Sequence, residues 1–285
     1  MEEERSGSYR RGPGRLIFRV DQAGGIMRRS RRWSVLLVAT LMLAGCAAAS
    51  PPSRLSRYVA AAATSEEGVP RLPASRPVPT ALVILNDRSD PESVPGFPED
   101  AQTRVVDMLA AELNRAYPIV IERVVTVGDV SEAWTAPDWR EVARQQGVNH
   151  LLVAVLSSIE QEYPVSLFLG WTTHRQPGLR RDNWSLVEAA LVDGRTGQLL
   201  VHAEGRAMAT LDRPTAPGIS QWYPVIYLRP QEPERRIWPP TYEGAPLTLR
   251  VVAMEHAVTR LAGNLQRAWI EQLAREALHE GVASR

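Results

Sequence analysis

The chain has 285 residues, 44% of them hydrophobic, which is enough for one core of ordinary size. Its formal charge is +1, but residues 1–45 hold nine Arg and only four acidic residues. The remainder carries 24 Arg against 28 acids, a formal charge of −4, and such a body lacks the basic face of a nucleic-acid binder. There is a single Cys, at position 46, so an intramolecular disulfide and a Cys-built zinc site are both excluded. Every cation is Arg, for the chain contains no Lys.

Arg28, Arg29, Arg31 and Arg32 form a basic region ahead of an apolar run at 33–43. That run is too short for a transmembrane helix, which needs about 20 apolar residues. Leu43-Ala44-Gly45-Cys46 follows, with small residues where a peptidase must approach the backbone. The pattern resembles the lipobox of bacterial lipoproteins. The resemblance implies cleavage between Gly45 and Cys46 and a lipid on the Cys46 thiol. Ala47 after the Cys, rather than Asp, implies the periplasmic face of the outer membrane. Met27 opens a signal of normal length, so residues 1–26 are expected to be a mis-assigned extension and 27–45 the signal peptide. Residues 46–78, rich in Ala, Ser, Pro and Arg, read as a flexible tether.

A globular domain is expected over 79–280. Thr80-Ala-Leu-Val-Ile-Leu85 is a continuous apolar run, as in a buried strand. Pro98, Glu99 and Asp100 begin a helix, since Pro suits the first turn and acids suit the positive end of the dipole. Ala101, Val105, Met108, Leu109, Glu112 and Leu113 follow helical spacing, with Glu112 the only polar member, and Pro118 ends it. The β-branched segment 119–127 reads as a second strand. Thr135 is the expected cap of a second helix with Trp139, Val142 and Ala143 inward and Gly147 as its stop. His150-Leu-Leu-Val-Ala-Val-Leu156 is a third strand. Segments 184–192 and 198–207 form a hairpin around Asp193-Gly194-Arg195-Thr196-Gly197. Finally, 247–280 repeats Val251, Met254, Val258, Leu261, Leu265, Trp269 and Leu273 at helical steps, a stripe expected against the sheet rather than against another chain. The order β-α-β-α-β-β-β-α with continuous apolar strands predicts an α/β fold: a single mixed sheet flanked by helices, with a long C-terminal helix. Two segments stand apart. Tyr163 to Arg175 includes Phe168-Leu169-Gly170-Trp171, expected as a loop packed on the core, with contact to a partner or membrane as the alternative. Residues 211–246, with eight Pro, read as an irregular insert.

Arg144-Gln-Gln-Gly-Val-Asn-His-Leu-Leu-Val-Ala154 and Ala190-Leu-Val-Asp-Gly-Arg-Thr-Gly-Gln-Leu-Leu200 together resemble envelope lipoproteins with a CsgG-like or TolB-N-terminal-like α/β domain, and the rhombotarget lipoproteins. The resemblance spans about residues 80–210. It implies a non-enzymatic partner in envelope assembly, anchored to a membrane through Cys46 and meeting envelope proteins or cell wall. Membrane-spanning hairpins are not carried over, because no pair of long alternating segments is visible.

A turn centred on Asp193–Gly197 would put Glu188 opposite His202, Leu186 opposite Glu204 and Trp184 opposite Arg206. Glu188 beside His202 could orient an imidazole for acid–base work in a hydrolase-like enzyme, though a solvated cross-strand pair is the plainer reading. The five His are scattered and there is no Gly-x-Ser-x-Gly, so neither a metal nor a nucleophile elbow is expected. No phosphate-cradling loop is present, and no cofactor is expected. Trp222, Tyr223, Tyr227, Trp238 and Tyr242 within the insert are the candidates for recognition, of cell wall or glycan. The competing reading makes them a lid over the sheet.

Overall fold

The computed structural model describes residues 50–59, 71–73, 77–91, 93–94, 96–116, 118–130, 137–168, 175–215, 224–229 and 232–283. In chain order the elements are α1 (Leu55–Tyr58), β1 (Val78–Asp87), α2 (Glu99–Arg115), β2 (Ile119–Val130), α3 (Trp139–Gln146), β3 (His150–Leu167), β4 (Gln176–Asp193), β5 (Leu199–Pro214), β6 (Val225–Arg229), β7 (Glu232–Ile237) and α4 (Ala245–Ala283). The seven strands form one sheet in the order β2-β1-β3-β4-β5-β6-β7. β1 runs parallel to β2 and β3, and every later pairing is antiparallel. The single mixed α/β sheet with a long C-terminal helix is therefore as expected, with two added strands. Those two, β6 and β7, come from within the segment 211–246 expected to be irregular, and its first residues belong to β5. Its Pro residues punctuate the strands instead of abolishing them.

The placement of the first helices follows from handedness. β1 to β2 and β2 to β3 move in opposite directions across the sheet. Right-handed crossovers then put α2 and α3 on opposite faces. On the back face, α2 and α4 cover Leu82, Ile84, Leu152, Ala154, Leu156, Val187, Ala189 and Leu191. On the front face, α1 and α3 cover Ala81, Val83, Leu85, Leu151, Val153, Val155, Ala190 and Val192. β1 and β3 are apolar on both faces because both faces are roofed. In α3 the cap is Asp138, whose carboxylate accepts the Arg140 N–H at 3.0 Å, rather than Thr135, which lies outside the described residues. Gly147 ends α3 in the left-handed region at φ 65, where a side chain would be strained.

The β4–β5 turn is built by Asp193. Its carboxylate accepts from the N–H groups of Arg195 at 2.7 Å and Thr196 at 2.9 Å. Gly197 turns the chain at φ 73, and a side chain at Gly194 would strike Ala143 and the Asn149 carbonyl. The turn closes Asp193 N–H on the Gln198 carbonyl, and the register then slips once more so that Leu191 faces Val201. The result is Glu188 opposite Glu204, Ala190 opposite His202, Leu186 opposite Arg206 and Trp184 opposite Met208. All three pairings expected from the sequence are thus two residues out. One residue comes from the turn closing on Asp193 and Gln198, a shift from the expected centre, and one from the bulge at Leu200. A slip of two preserves the face and changes every partner.

β3 and β4 each run 18 residues, well beyond the apolar segments that marked them. A pair of long segments therefore exists after all. Tyr163 to Leu167, expected to lie in a loop, belong to β3. Their distal halves are held by polar pairs. Arg180 forms a two-pronged contact with Asp212 at 2.6 and 2.8 Å. Arg250 of α4 grips Glu160 at 2.8 and 3.1 Å. Asp182 is buried and accepts from the hydroxyls of Thr210 at 2.6 Å and Tyr163 at 2.7 Å. Burial first, and then Asp182, pushes the Tyr163 phenol pKa up. Asp212 holds the Arg180 guanidinium further into its charged form.

The expected stripe on α4 is intramolecular: Val251, Met254, Val258, Leu261, Leu265 and Trp269 are all buried. The helix touches β5 at Gly205, where a Cβ would collide with the Ala257 carbonyl oxygen and the Leu261 backbone. On either side, Asn264 donates to the Glu204 carbonyl at 2.7 Å and Arg260 to the Arg206 carbonyl at 2.6 Å. Gly205→Ala is expected to destabilise the fold by about 2–3 kcal/mol, because the obstacle is helix backbone that cannot turn aside. A chemical-denaturation midpoint equal to that of the unsubstituted protein would contradict this contact.

Candidate functional site

Residues 50–59, expected to be part of a tether, are docked across the front face. Leu55, Tyr58 and Val59 are buried there with Val83, Leu85 and Val155. Their spacing of three and four residues is that of a short helix with one apolar side, and α1 is its single turn. The strap crosses the strands from β5 towards β1. At its start, Arg206 on β5 donates to the Ser50 hydroxyl at 2.7 Å and the Pro51 carbonyl at 2.6 Å. On β4, Glu188 accepts the Ser53 hydroxyl at 2.5 Å and the Arg54 backbone N–H at 2.8 Å. The Arg54 side chain reaches on to Ser89 at 3.1 Å and Asp90 at 3.0 Å. At the far end, Trp139 of α3 donates its indole N–H to the Tyr58 carbonyl at 2.9 Å.

Glu188 is 2% exposed. A carboxylate this buried needs donors, and the strap supplies one to each oxygen. Both of its oxygens are committed to structure, and its cross-strand partner is Glu204, not His202. His202 faces Ala190 and is exposed. The acid–base pair expected from the sequence is therefore not assembled. Glu204 is held instead by Arg206, which contacts it at 2.8 and 3.0 Å and lowers its pKa. Among the described residues no group of three or more His, Cys, Asp or Glu lies close enough to hold a metal ion.

Gly45, Cys46, Trp222 and Tyr223 lie outside the described residues, as do Leu169, Gly170 and Trp171. The three remaining aromatic candidates are not brought together. Tyr227 on β6 shares the front face with Thr210, and the Arg229 guanidinium stacks over its ring at 5.3 Å. Tyr242 lies on the back side, lining a cavity of ≈ 280 Å³ with Glu162, Arg181, Leu211 and Arg213. Trp238, just after β7, is 53% exposed. Phe168, at the end of β3, is 69% exposed, so it is not packed on the core as expected. The aromatic insert thus forms neither one lid nor one platform among the described residues.

No family model matches the chain, and no curated protein matches it. Among solved structures, it is similar to the PelC dodecamer from Paraburkholderia phytofirmans at 13% identity and TM-score 0.26, over 66% of this chain and 94% of that one. Lipoprotein GNA1162 from Neisseria meningitidis matches at 13% identity and TM-score 0.27, over 46% and 83%. A putative neuraminyllactose-binding hemagglutinin homolog from Helicobacter pylori matches at 8% identity and TM-score 0.36, over 75% and 95%.

The strap gives two tests. Glu188→Ala removes the acceptor for both strap donors and is expected to destabilise the protein by about 2–3 kcal/mol and to expose 50–59 to proteolysis. Unchanged cleavage in that segment would show that Glu188 does not hold it. The second test uses Tyr58, whose phenol is pushed up from 10.0 to about 12, by burial and then by the Asp87 carboxylate beside it. The folded state therefore favours the protonated phenol. This contribution is complete below pH 10 and is lost as the pH rises towards 12. Tyr58→Phe is expected to flatten the fall in stability across that window, measured by denaturant midpoints at successive pH values. An equally steep fall in the variant would rule Tyr58 out as its source.

Proposed function

We propose that this chain is a bacterial envelope lipoprotein, held on the periplasmic face of the outer membrane by a lipid on Cys46 and acting through contacts rather than catalysis. The observation that carries the proposal is the sequence Leu43-Ala44-Gly45-Cys46 after a basic and apolar leader, with Cys46 the only thiol in the chain. Lipid on that thiol supplies an anchor to a domain in which, among the described residues, no helix is long and apolar enough to cross a membrane. The two motifs that resemble envelope lipoproteins agree with this reading. The commitment of both Glu188 oxygens to the strap supports a non-enzymatic role. Exposed Trp238 and Phe168 support action through contact, since exposed aromatic rings are common at protein and glycan interfaces.

The anchor is tested by expressing the chain in a bacterium with two membranes and taking the mass of the N-terminal peptide from the membrane fraction. A peptide that begins at Cys46 and carries acyl chains is expected, together with palmitate labelling that Cys46→Ser abolishes. The uncleaved Cys46→Ser precursor is expected to begin at Met27, without residues 1–26. An unmodified Cys46 in the membrane-extracted protein would overturn the proposal. Crosslinking the same membranes before extraction is expected to trap an envelope partner, and no adduct at all would count against an assembly role.

A further inference from the structure

We infer that the folded domain lies directly on the bilayer surface, with the front-face flank of β5 around His202 turned towards the lipid headgroups. The inference rests on the proposed lipid at Cys46. Its basis is how near to Cys46 the docked chain already is. Ser50 is the first described residue, and the sheet holds it through the Arg206 guanidinium at 2.7 Å. Four Cα steps separate it from Cys46, and a fully extended chain covers only about 14 Å in that distance. A free 32-residue linker over 47–78 would instead have a root-mean-square reach of about 30 Å, enough to let the domain tumble away from the membrane.

The strap removes that freedom. It is fixed across four successive strands by Arg206 on β5, Glu188 on β4 and the buried Leu55, Tyr58 and Val59 over β3 and β1. The attachment point is therefore the front side of β5, close to one flank of the sheet. The strap starts at β5 and runs away from it towards β1, so it leaves the β5 surface at His202 and Glu204 open, and both residues are exposed. The back face, roofed by α2 and α4, is on the other side of the sheet. α2 lies over β1 and β2, some three strands or about 14 Å across from β5, and one helix layer further out. A lipid chain in the bilayer and a leash this short bring the His202 flank to the headgroups and hold α2 away from them. The occupant of this surface is the bilayer itself.

The test uses the full chain, lipidated in cells, extracted and reconstituted in phosphatidylethanolamine–phosphatidylglycerol vesicles that contain a headgroup-nitroxide lipid. The native thiol is blocked by its lipid, so a fluorophore can be placed on one engineered Cys at a time. His202→Cys marks the front flank of β5, and Ala111→Cys marks the exposed side of α2. Quenching is expected to be about twofold or more stronger at 202 than at 111. A 20-residue Gly/Ser insert between Ala48 and Ala49 should shrink the difference, because its root-mean-square reach of about 25 Å frees the domain while the strap stays docked. Equal quenching of the two probes in lipidated protein without the insert would overturn the inference and leave the lipoprotein reading standing. A difference that survives the insert would also overturn it, by showing that the short leash is not what orients the domain. Failure of the protein to acquire lipid at Cys46 would remove both.

Discussion

A buried carboxylate with its two oxygens divided between two donors on one short segment organises the front of this molecule. Glu188 sits in the middle of β4, in the interior of the sheet, with apolar residues on the neighbouring strand. An ion in that position is costly unless it is hydrogen-bonded. The sheet cannot satisfy it, because the residue opposite on β5 is another acid, Glu204, already paired with Arg206. The strap satisfies it, through Ser53 and the Arg54 backbone. The dependence runs both ways. A chain of only ten described residues, with one turn of helix, has too little helix propensity to order itself, and its order derives from the surface it binds.

The back of the molecule obeys a different constraint, steric rather than electrostatic. α4 approaches β5 so closely that only Gly fits at 205, and side chains of α4 grip backbone carbonyls of β5 on either side of the contact. β5 therefore carries the strap on one face and the long helix on the other. Arg206 takes part in both: its side chain holds Ser50 and its carbonyl receives Arg260. Strap, sheet and terminal helix are thus coupled through three consecutive residues, Glu204, Gly205 and Arg206.

Much of this architecture was legible in the sequence. Strands β1 and β3 announce themselves as unbroken apolar runs, α2 and α4 as stripes at helical spacing, and the β4–β5 turn as Asp and Gly in fixed positions. What was not legible has physical causes. The register of β4 against β5 depends on how many residues the turn absorbs and on a bulge at Leu200, and neither changes the hydrophobic pattern, since a slip of two leaves each side chain on its own face. The distal halves of β3 and β4 are stabilised by ion pairs and hydroxyls, so they lack the apolar alternation that marks a strand. The strap was hidden by its composition. Its Pro, Ser and Arg residues read as linker, and only the spacing of Leu55, Tyr58 and Val59 showed that one side of it could be buried.

The sheet also separates two ends of the molecule. Arg206, where the strap begins, pairs with Leu186 of β4, and the hairpin end of β4 at Gln176 is ten residues away, about 33 Å along a strand. Phe168 lies beyond that end, while Trp238 follows β7, whose Ile237 leads through Ile226 and Leu211 to the level of Arg181. Both rings therefore lie towards the far end of the sheet, where polar pairs on β3 and β4 stand beside a smaller apolar cluster that includes Leu211, Ile226 and Leu249. An apolar hairpin of that length would present a broad face to water, whereas Arg–Asp, Arg–Glu and Tyr–Asp contacts hold its strands to their neighbours and to α4.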